Sequence, residues 1–291
     1  MKPAPFDYLR PSSLAQALEM YAAATDAKVL AGGQSLIPLL SMRLAAPATL
    51  IDLGGLAELA GIEVDGSGVR VGALARHAEV ERHPGVRATQ PLIGQALRLV
   101  AHPTIRNRGT TVGSIVHADA AAEMPAVLCL LGGHVVAESV RGSRDIAADD
   151  LFVGPLETSL AADEIVTGAY FPALPAGAGT AFDEVSRRHG DYALAGVGVV
   201  VECDGDRVSR VRAGYISVSE TPLVLDLGAA FADGVVDAAA LDRAAALVTE
   251  QVEPEGDIHA SADYRRHLAG VLTRQVVEQA YAATVVRQGA A

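Results

Sequence analysis

Two short segments of the chain carry residue types suited to holding a phosphate. The first is Ala31-Gly32-Gly33-Gln34-Ser35-Leu36, between a strand-like stretch at 28–31 and a helix-like run at about 37–44. Glycine has no Cβ, so backbone N–H groups there can approach a pyrophosphate closely. The start of the following helix favours an anion, and the Ser35 hydroxyl adds a donor. The second is Asn107-Arg108-Gly109-Thr110-Thr111-Val112-Gly113-Ser114, with the same mixture of small residues, hydroxyls and glycine. A ligand held at two such loops is long, as a dinucleotide is. His117-Ala118-Asp119 and Glu123-Met124-Pro125 follow closely, so an acid stands ready to accept hydrogen bonds from ribose hydroxyls. Each segment also has a plainer reading: a strand-to-helix turn for the glycine pair, and helix capping for Glu123. The residues alone leave both open.

Other machinery is missing. The chain has no Walker lysine after a glycine loop, no G-x-G-x-x-G, no H-E-x-x-H and no G-x-S-x-G nucleophile elbow. Gly196-Val197-Gly198 lacks a third glycine and lies in a strand-like pattern. Only two cysteines occur, Cys129 and Cys203, far apart and without ligand spacing, so no zinc or iron–sulfur site is encoded. They read as two thiols in a reducing compartment. The formal net charge of −12, with basic residues clustered only at Arg106/Arg108, Arg187/Arg188 and Arg265/Arg266, excludes a nucleic-acid binder. The N-terminus lacks an apolar signal region, and no apolar run reaches membrane-span length. The expectation is a soluble cytoplasmic protein.

The elements that must position these loops follow from periodicity. Half of the 291 residues are hydrophobic, aromatics are scarce and Trp is absent, so the core rests on Ala, Val, Leu and Ile. Pro11-Ser12-Ser13 opens an amphipathic helix with Ser13 and Gln16 as a capping box. A strand is expected at 49–53, and a hairpin at 61–72 around Asp65-Gly66-Ser67-Gly68. Helices are expected at 77–82, 91–100 and 124–131, and strands at 135–137 and 165–171. Pro172, Pro175, Gly177 and Gly179 mark a boundary. Beyond it, 181–188, 197–203 and 207–218 read as three antiparallel strands, and 237–249 and 263–287 as helices.

Four stretches, in this order, resemble the medium, FAD-binding subunit of carbon monoxide dehydrogenase and related molybdenum hydroxylases of the xanthine oxidase family. They are Phe6-Asp7-Tyr8-Leu9-Arg10-Pro11, Ala31-Gly32-Gly33-Gln34-Ser35-Leu36, His102-Pro103-Thr104-Ile105-Arg106-Asn107-Arg108-Gly109-Thr110, and Ser261-Ala262-Asp263-Tyr264-Arg265-Arg266-His267-Leu268. The fold that the resemblance implies is α+β. A two-subdomain FAD-binding domain of the PCMH type would span residues 1–176, with subdomains of about 1–55 and 56–176. A C-terminal domain would span 177–291, a three-stranded antiparallel sheet with a helical bundle.

The resemblance also implies site roles. Leu30 to Leu36, through Ala31, Gly32, Gly33, Gln34 and Ser35, would hold the FAD pyrophosphate. Ala101, Thr110, Thr111, Gly113, Ser114 and His117 would hold it from the other side. Glu123 matches an acid at the adenosine end, Ile165 a position whose backbone meets the adenine, and Tyr192 an aromatic beside the isoalloxazine ring. A strand-end packing role for Tyr192 stays open. Three positions depart from the family pattern: Ser114 and Ala120 stand for a glycine and a proline, and Glu184 for a basic residue.

The family scheme is an oxidoreductase relay. A large molybdopterin subunit oxidises the substrate, a small subunit with two [2Fe–2S] clusters passes electrons singly, and the flavin subunit delivers them to an external acceptor. The assembly implied is a dimer of heterotrimers. No residue of the hydroxylation step is expected in this chain. Two alternatives share the flavin motifs: a stand-alone flavin oxidase and an FAD-free scaffold subunit.

Overall fold

The computed structural model describes residues 1–288. The last three residues of the expected C-terminal domain lie outside that range. The first sheet is small and parallel, in the order Asp7–Leu9, Thr49–Asp52, Ala27–Leu30. Parallel neighbours need crossovers, and the helices Leu14–Ala23 and Leu36–Met42 lie in the intervening connections. Ser13 caps the first helix by accepting from the Gln16 N–H at 3.2 Å. The return bond of the expected capping box goes one residue early: Gln16 Oε1 accepts from the Ser12 N–H at 2.7 Å.

The second sheet has five antiparallel strands, ordered Ile62–Val64, Gly68–Gly72, Ile165–Pro172, His134–Ser139 and Gly142–Ala147. Helices pack beside it. Among them Glu123–Leu131 is buried along nearly its whole length and ends in a left-handed Gly132, φ 65°. The strand Gly142–Ala147 was not expected from the sequence. Five of its six residues are not buried, so it carries no apolar alternation.

The third sheet corrects an expectation. It has four antiparallel strands, not three: Gly179–Ser186, Ala193–Asp204, Arg207–Ile216 and Leu223–Asp226. The fourth has four residues, directly after Pro222, and sits at the edge, so its pattern is too short to read as a strand. The expected helical bundle is two long helices, Ala238–Gln251 and Ala262–Gln288. Asp237 caps the former by accepting from the Ala240 N–H at 2.8 Å.

This sheet is the plate on which the molecule is built. Side chains alternate along its strands. Ala195, Val197, Val199, Val201, Val211, Ala213 and Tyr215 join a core with the two C-terminal helices. Val200 and Ile216, on the opposite face, join the core of the N-terminal half. The residues between them on that second face are small. A Cβ at Gly214 would sit 3.0 Å from Leu130 Cβ, and one at Gly198 would sit 3.4 Å from Leu130 Cδ2. Gly198 is therefore explained by packing under the Glu123–Leu131 helix, whereas a Cβ at Gly196 would meet the Ile216 and Glu184 side chains within the sheet, 2.8 and 2.9 Å away. Arg212 fastens that helix, donating to the carbonyls of Leu130 and Cys129 at its C-terminus. Among the described residues no helix is long and apolar enough to cross a membrane.

The other face is as tight at Gly179. A Cβ there would collide with the Ala280 carbonyl and lie 2.7 Å from the Thr284 amide nitrogen, both backbone atoms of the last helix. Gly179→Ala is expected to lower stability by at least about 1–3 kcal/mol, the usual cost of overpacking. A thermal melt that matches the unsubstituted chain would contradict this packing.

Candidate functional site

The two glycine-bearing loops touch. A Cβ on Gly32 would lie 2.5 Å from Arg108 O, 2.8 Å from Gly109 Cα and 2.9 Å from Thr110 N. All three are backbone atoms, so only glycine fits at 32. Gly33 has φ +73°, the left-handed region that glycine takes without strain. Gln34 Nε2 donates to Gly32 O at 3.1 Å and closes the turn. The first amide to return to a carbonyl here is Ile37 N–H, to Gly33 O at 3.0 Å. The N–H groups before it have no helical carbonyl to reach. Ser35 stands at the N-cap position but makes no side-chain capping bond. The helix that follows has only seven residues, so the loop's own donors, more than a helix dipole, are what it offers an anion. Leu30 and Ile37 close over Gly33, with carbons 3.2 and 3.1 Å from its Cβ position. Ala31 and Leu36 flank the loop, partly buried.

The second loop is built differently. Thr110 Oγ1 accepts from the Gly113 N–H at 3.1 Å, which makes Thr110 the cap of the Thr111–His117 helix. Thr111 is fully buried, its hydroxyl 3.3 Å from His77 Nδ1 and its N–H bonded to Ala75 O at 3.2 Å. The Thr111 hydroxyl is thus committed within the protein, while Thr110 Oγ1 is engaged as an acceptor only. Ser114 donates its N–H to Thr110 O at 3.1 Å and lies inside the helix. It is not among the residues with positive φ, so the glycine usual in the family is not demanded by backbone strain here. The left-handed position is Ala118, φ 55°. Burial holds the His77 imidazole down to about 4, with help from the Arg106 charge, so it is neutral at pH 7.

Several residues fasten this loop that its motif did not announce. Arg106 pairs with Glu81 at 3.0 Å and donates to the carbonyls of Val100 at 2.9 Å and Ala101 at 3.1 Å. Ala101 is held at φ 43°, which an L-residue rarely adopts. Arg76 donates to the Arg108 carbonyl, and an isolated bridge joins Arg76 to Thr110. The only sequence signal for Arg106 is an arginine inside a run already dense in other features.

Acids gather on the remaining side. Glu123 opens its helix but is 9 % exposed, and burial pushes its carboxyl up to about 7, with Asp119 adding to the rise and Arg106 opposing it. Glu184 lies across the sheet from Gly196, and its Oε2 is buried without a hydrogen-bond partner. Burial, then the charges of Glu123 and Asp183, push Glu184 up to about 8. The Tyr192 phenol is raised by desolvation and then by Asp119 and Glu123, although the residue is 68 % exposed. His117 is lowered by burial and feels Asp119 and Lys28, which ties this side to the strand before the first loop. Thus Glu123, Glu184, Tyr192, His117 and Asp119 share one electrostatic neighbourhood. Ile165 starts its strand opposite Glu138 and is buried. Among the described residues no group of three or more His, Cys, Asp or Glu could hold a metal ion.

The acids carry a pH prediction. Both folded-state values are raised, so the folded chain keeps protons that the unfolded chain gives up near 4.5. Their favourable contribution is full below that value and is lost as pH rises through about 7 for Glu123 and about 8 for Glu184. They interact, so they titrate as a pair. Urea unfolding should show stability falling between about pH 4.5 and 8 by on the order of 1–3 kcal/mol, with Glu184→Gln flattening the fall. An unchanged slope in that variant would count against the pair.

Residues 4–174 match the family described as the FAD binding domain in molybdopterin dehydrogenase, and residues 180–280 match the CO dehydrogenase flavoprotein C-terminal domain. The chain is 42 % identical to the nicotine 6-hydroxylase medium subunit of Paenarthrobacter nicotinovorans, over 95 % of this chain and 98 % of the relative. It is 36 % identical to the carbon monoxide dehydrogenase medium chain of Hydrogenophaga pseudoflava, over 97 % and 99 %. The solved structure of quinoline 2-oxidoreductase from Pseudomonas putida 86 superposes with a TM-score of 0.91 at 36 % identity, over 98 % of this chain and 99 % of that one. With both halves matched and the identity carried along nearly the full length, the chain belongs to the FAD-binding medium subunits of the molybdenum hydroxylases, the family of the carbon monoxide dehydrogenase medium chain.

Proposed function

We propose that this chain is the FAD-binding, electron-transferring subunit of a heterotrimeric molybdenum hydroxylase. The observation that carries the reading is the contact of the two loops at Gly32, which brings donors of the 31–35 turn beside the 107–114 segment. The residues fit the cofactor on two further counts. The Gly33 turn leaves backbone donors and the Ser35 hydroxyl for a pyrophosphate. The orphaned Glu184 Oε2, close in charge to Glu123, is a buried acceptor that a ligand hydroxyl would satisfy. Leu30 through Leu36 would hold the pyrophosphate. Ala101, Thr110, Thr111, Gly113, Ser114 and His117 would close the second side. Glu123 and Glu184 would meet hydroxyls of the cofactor, the Ile165 backbone the adenine, and Tyr192 the isoalloxazine ring.

Bound FAD supplies two-electron redox chemistry between one-electron donors and an external acceptor. The protein's own work is to bind and orient it and to keep water from its buried parts. Glu123 and Glu184, held partly protonated near neutral pH by burial, can donate as well as accept a hydrogen bond, and they oppose an anionic ligand less than two carboxylates would. The division of the chain into a flavin domain over 1–176 and a partner-facing domain over 177–291 belongs to the same reading. So do a large molybdopterin partner, a small [2Fe–2S] partner, a dimer of heterotrimers, and a cytoplasmic site of action. The free thiols of Cys129 and Cys203 suit that compartment.

Purified complex should carry flavin absorbance near ~450 nm, a general property of the oxidised cofactor. Gly32→Val should abolish flavin retention, because its side chain meets backbone on three sides. Gly33→Asp should do the same by adding a side chain at positive φ and a charge beside the pyrophosphate. Complex that assembles without flavin in the unsubstituted protein would point instead to a scaffold subunit.

A further inference from the structure

The turn between the strands Gly179–Ser186 and Ala193–Asp204 carries Arg187, Arg188, His189, Gly190, Asp191 and Tyr192. Inside the turn, Ser186 Oγ and the Asp191 N–H both donate to Arg188 O, at 2.9 and 3.0 Å. At its centre Gly190 has φ +87°. A Cβ there would lie 2.5, 2.7 and 2.9 Å from Cε1, Nδ1 and Nε2 of His102. Three ring atoms at nearly equal distance mean that the imidazole lies against the Gly190 backbone. His189 adds a ring contact to His102, with centroids 6.0 Å apart and planes at 60°. His102 itself follows the left-handed Ala101, whose carbonyl is gripped by Arg106, which is paired in turn with Glu81. A continuous line of contacts therefore runs from Glu81 through Arg106 and His102 to Gly190, and ends two residues before Tyr192.

We propose that His102 and Gly190 form a latch between the N-terminal half and the C-terminal sheet that positions Tyr192 against the flavin ring. The proposal rests on the reading of the two-loop site as an FAD site. Both are positioning residues: the flat ring needs a neighbour without a Cβ, and Gly190 supplies it. Besides the latch, the turn is held among the described residues by its internal bonds and the Arg187–His259 contact, 2.7 Å. Without the latch Tyr192, already 68 % exposed, would swing away from the flavin ring.

The test uses the purified FAD-loaded complex and reads flavin fluorescence, which a stacked tyrosine quenches. Gly190→Ala and His102→Ala should each raise emission toward the level of Tyr192→Leu. In the double variant the second substitution should add little, because the clash at 190 requires the ring at 102; only the cost of alanine at positive φ is left. His102→Phe keeps a flat ring and should retain the quenched state. In a Tyr192→Leu background neither latch substitution should change emission. Additive effects in the double variant, or equal changes with and without Tyr192, would overturn the latch. A complex that binds no flavin would overturn the FAD reading itself, and the latch with it, which separates the two failures.

Discussion

The approach of Gly32 to the backbone of residues 108–110 is the constraint on which the rest depends. The first loop belongs to a small parallel sheet and the second to a helical segment beside the antiparallel sheet. They meet with no side chain between them. Any Cβ at 32 would push them apart, and the donors of the 31–35 turn would no longer stand beside the second segment. The fastenings around the second loop make sense in that light. Arg106, Arg76 and the buried His77–Thr111 contact all hold backbone or buried groups that have nothing to do with a ligand directly. They keep the surface against which Gly32 rests from moving.

The C-terminal sheet extends the same logic on a larger scale. It is a plate with two different faces. One is filled with Val, Ala and Tyr against two helices, and the other is lowered by glycine so that the Glu123–Leu131 helix can lie close. Arg212 satisfies the carbonyls at that helix's end. The N-terminus of the same helix carries Glu123, and the facing strand carries Glu184. The close packing that joins the two halves of the chain therefore also brings two carboxylates near each other in low dielectric. Their raised titration is a consequence of the architecture, and it lets them serve a polar ligand with both donors and acceptors.

Much of this was legible in residue order. Strong periodicity marked the long helices and central strands. The glycine pair at 32–33, flanked by a strand and a helix, marked the first loop, and four ordered stretches marked the family. What stayed hidden has physical reasons. The edge strand Leu223–Asp226 is too short for period-two alternation to register, and Gly142–Ala147 is too polar. Thr110 caps its helix through Gly113 and Thr111 packs against His77, contacts that residue type alone does not announce. Ser114 looks like a costly replacement of glycine only until its helical backbone is seen. His102 and Gly190 are 88 positions apart in the chain, and neither has a local pattern that announces the other.

The central claim is that one dinucleotide is held at once by both loops. Hydrogen exchange of backbone amides in flavin-depleted complex, with and without added FAD, tests it most directly. The account predicts slower exchange on FAD addition in two separated stretches together, residues 32–36 and 112–115, with the plate at 193–204 unchanged. Protection confined to one of the two loops, or found only elsewhere in the chain, would contradict it.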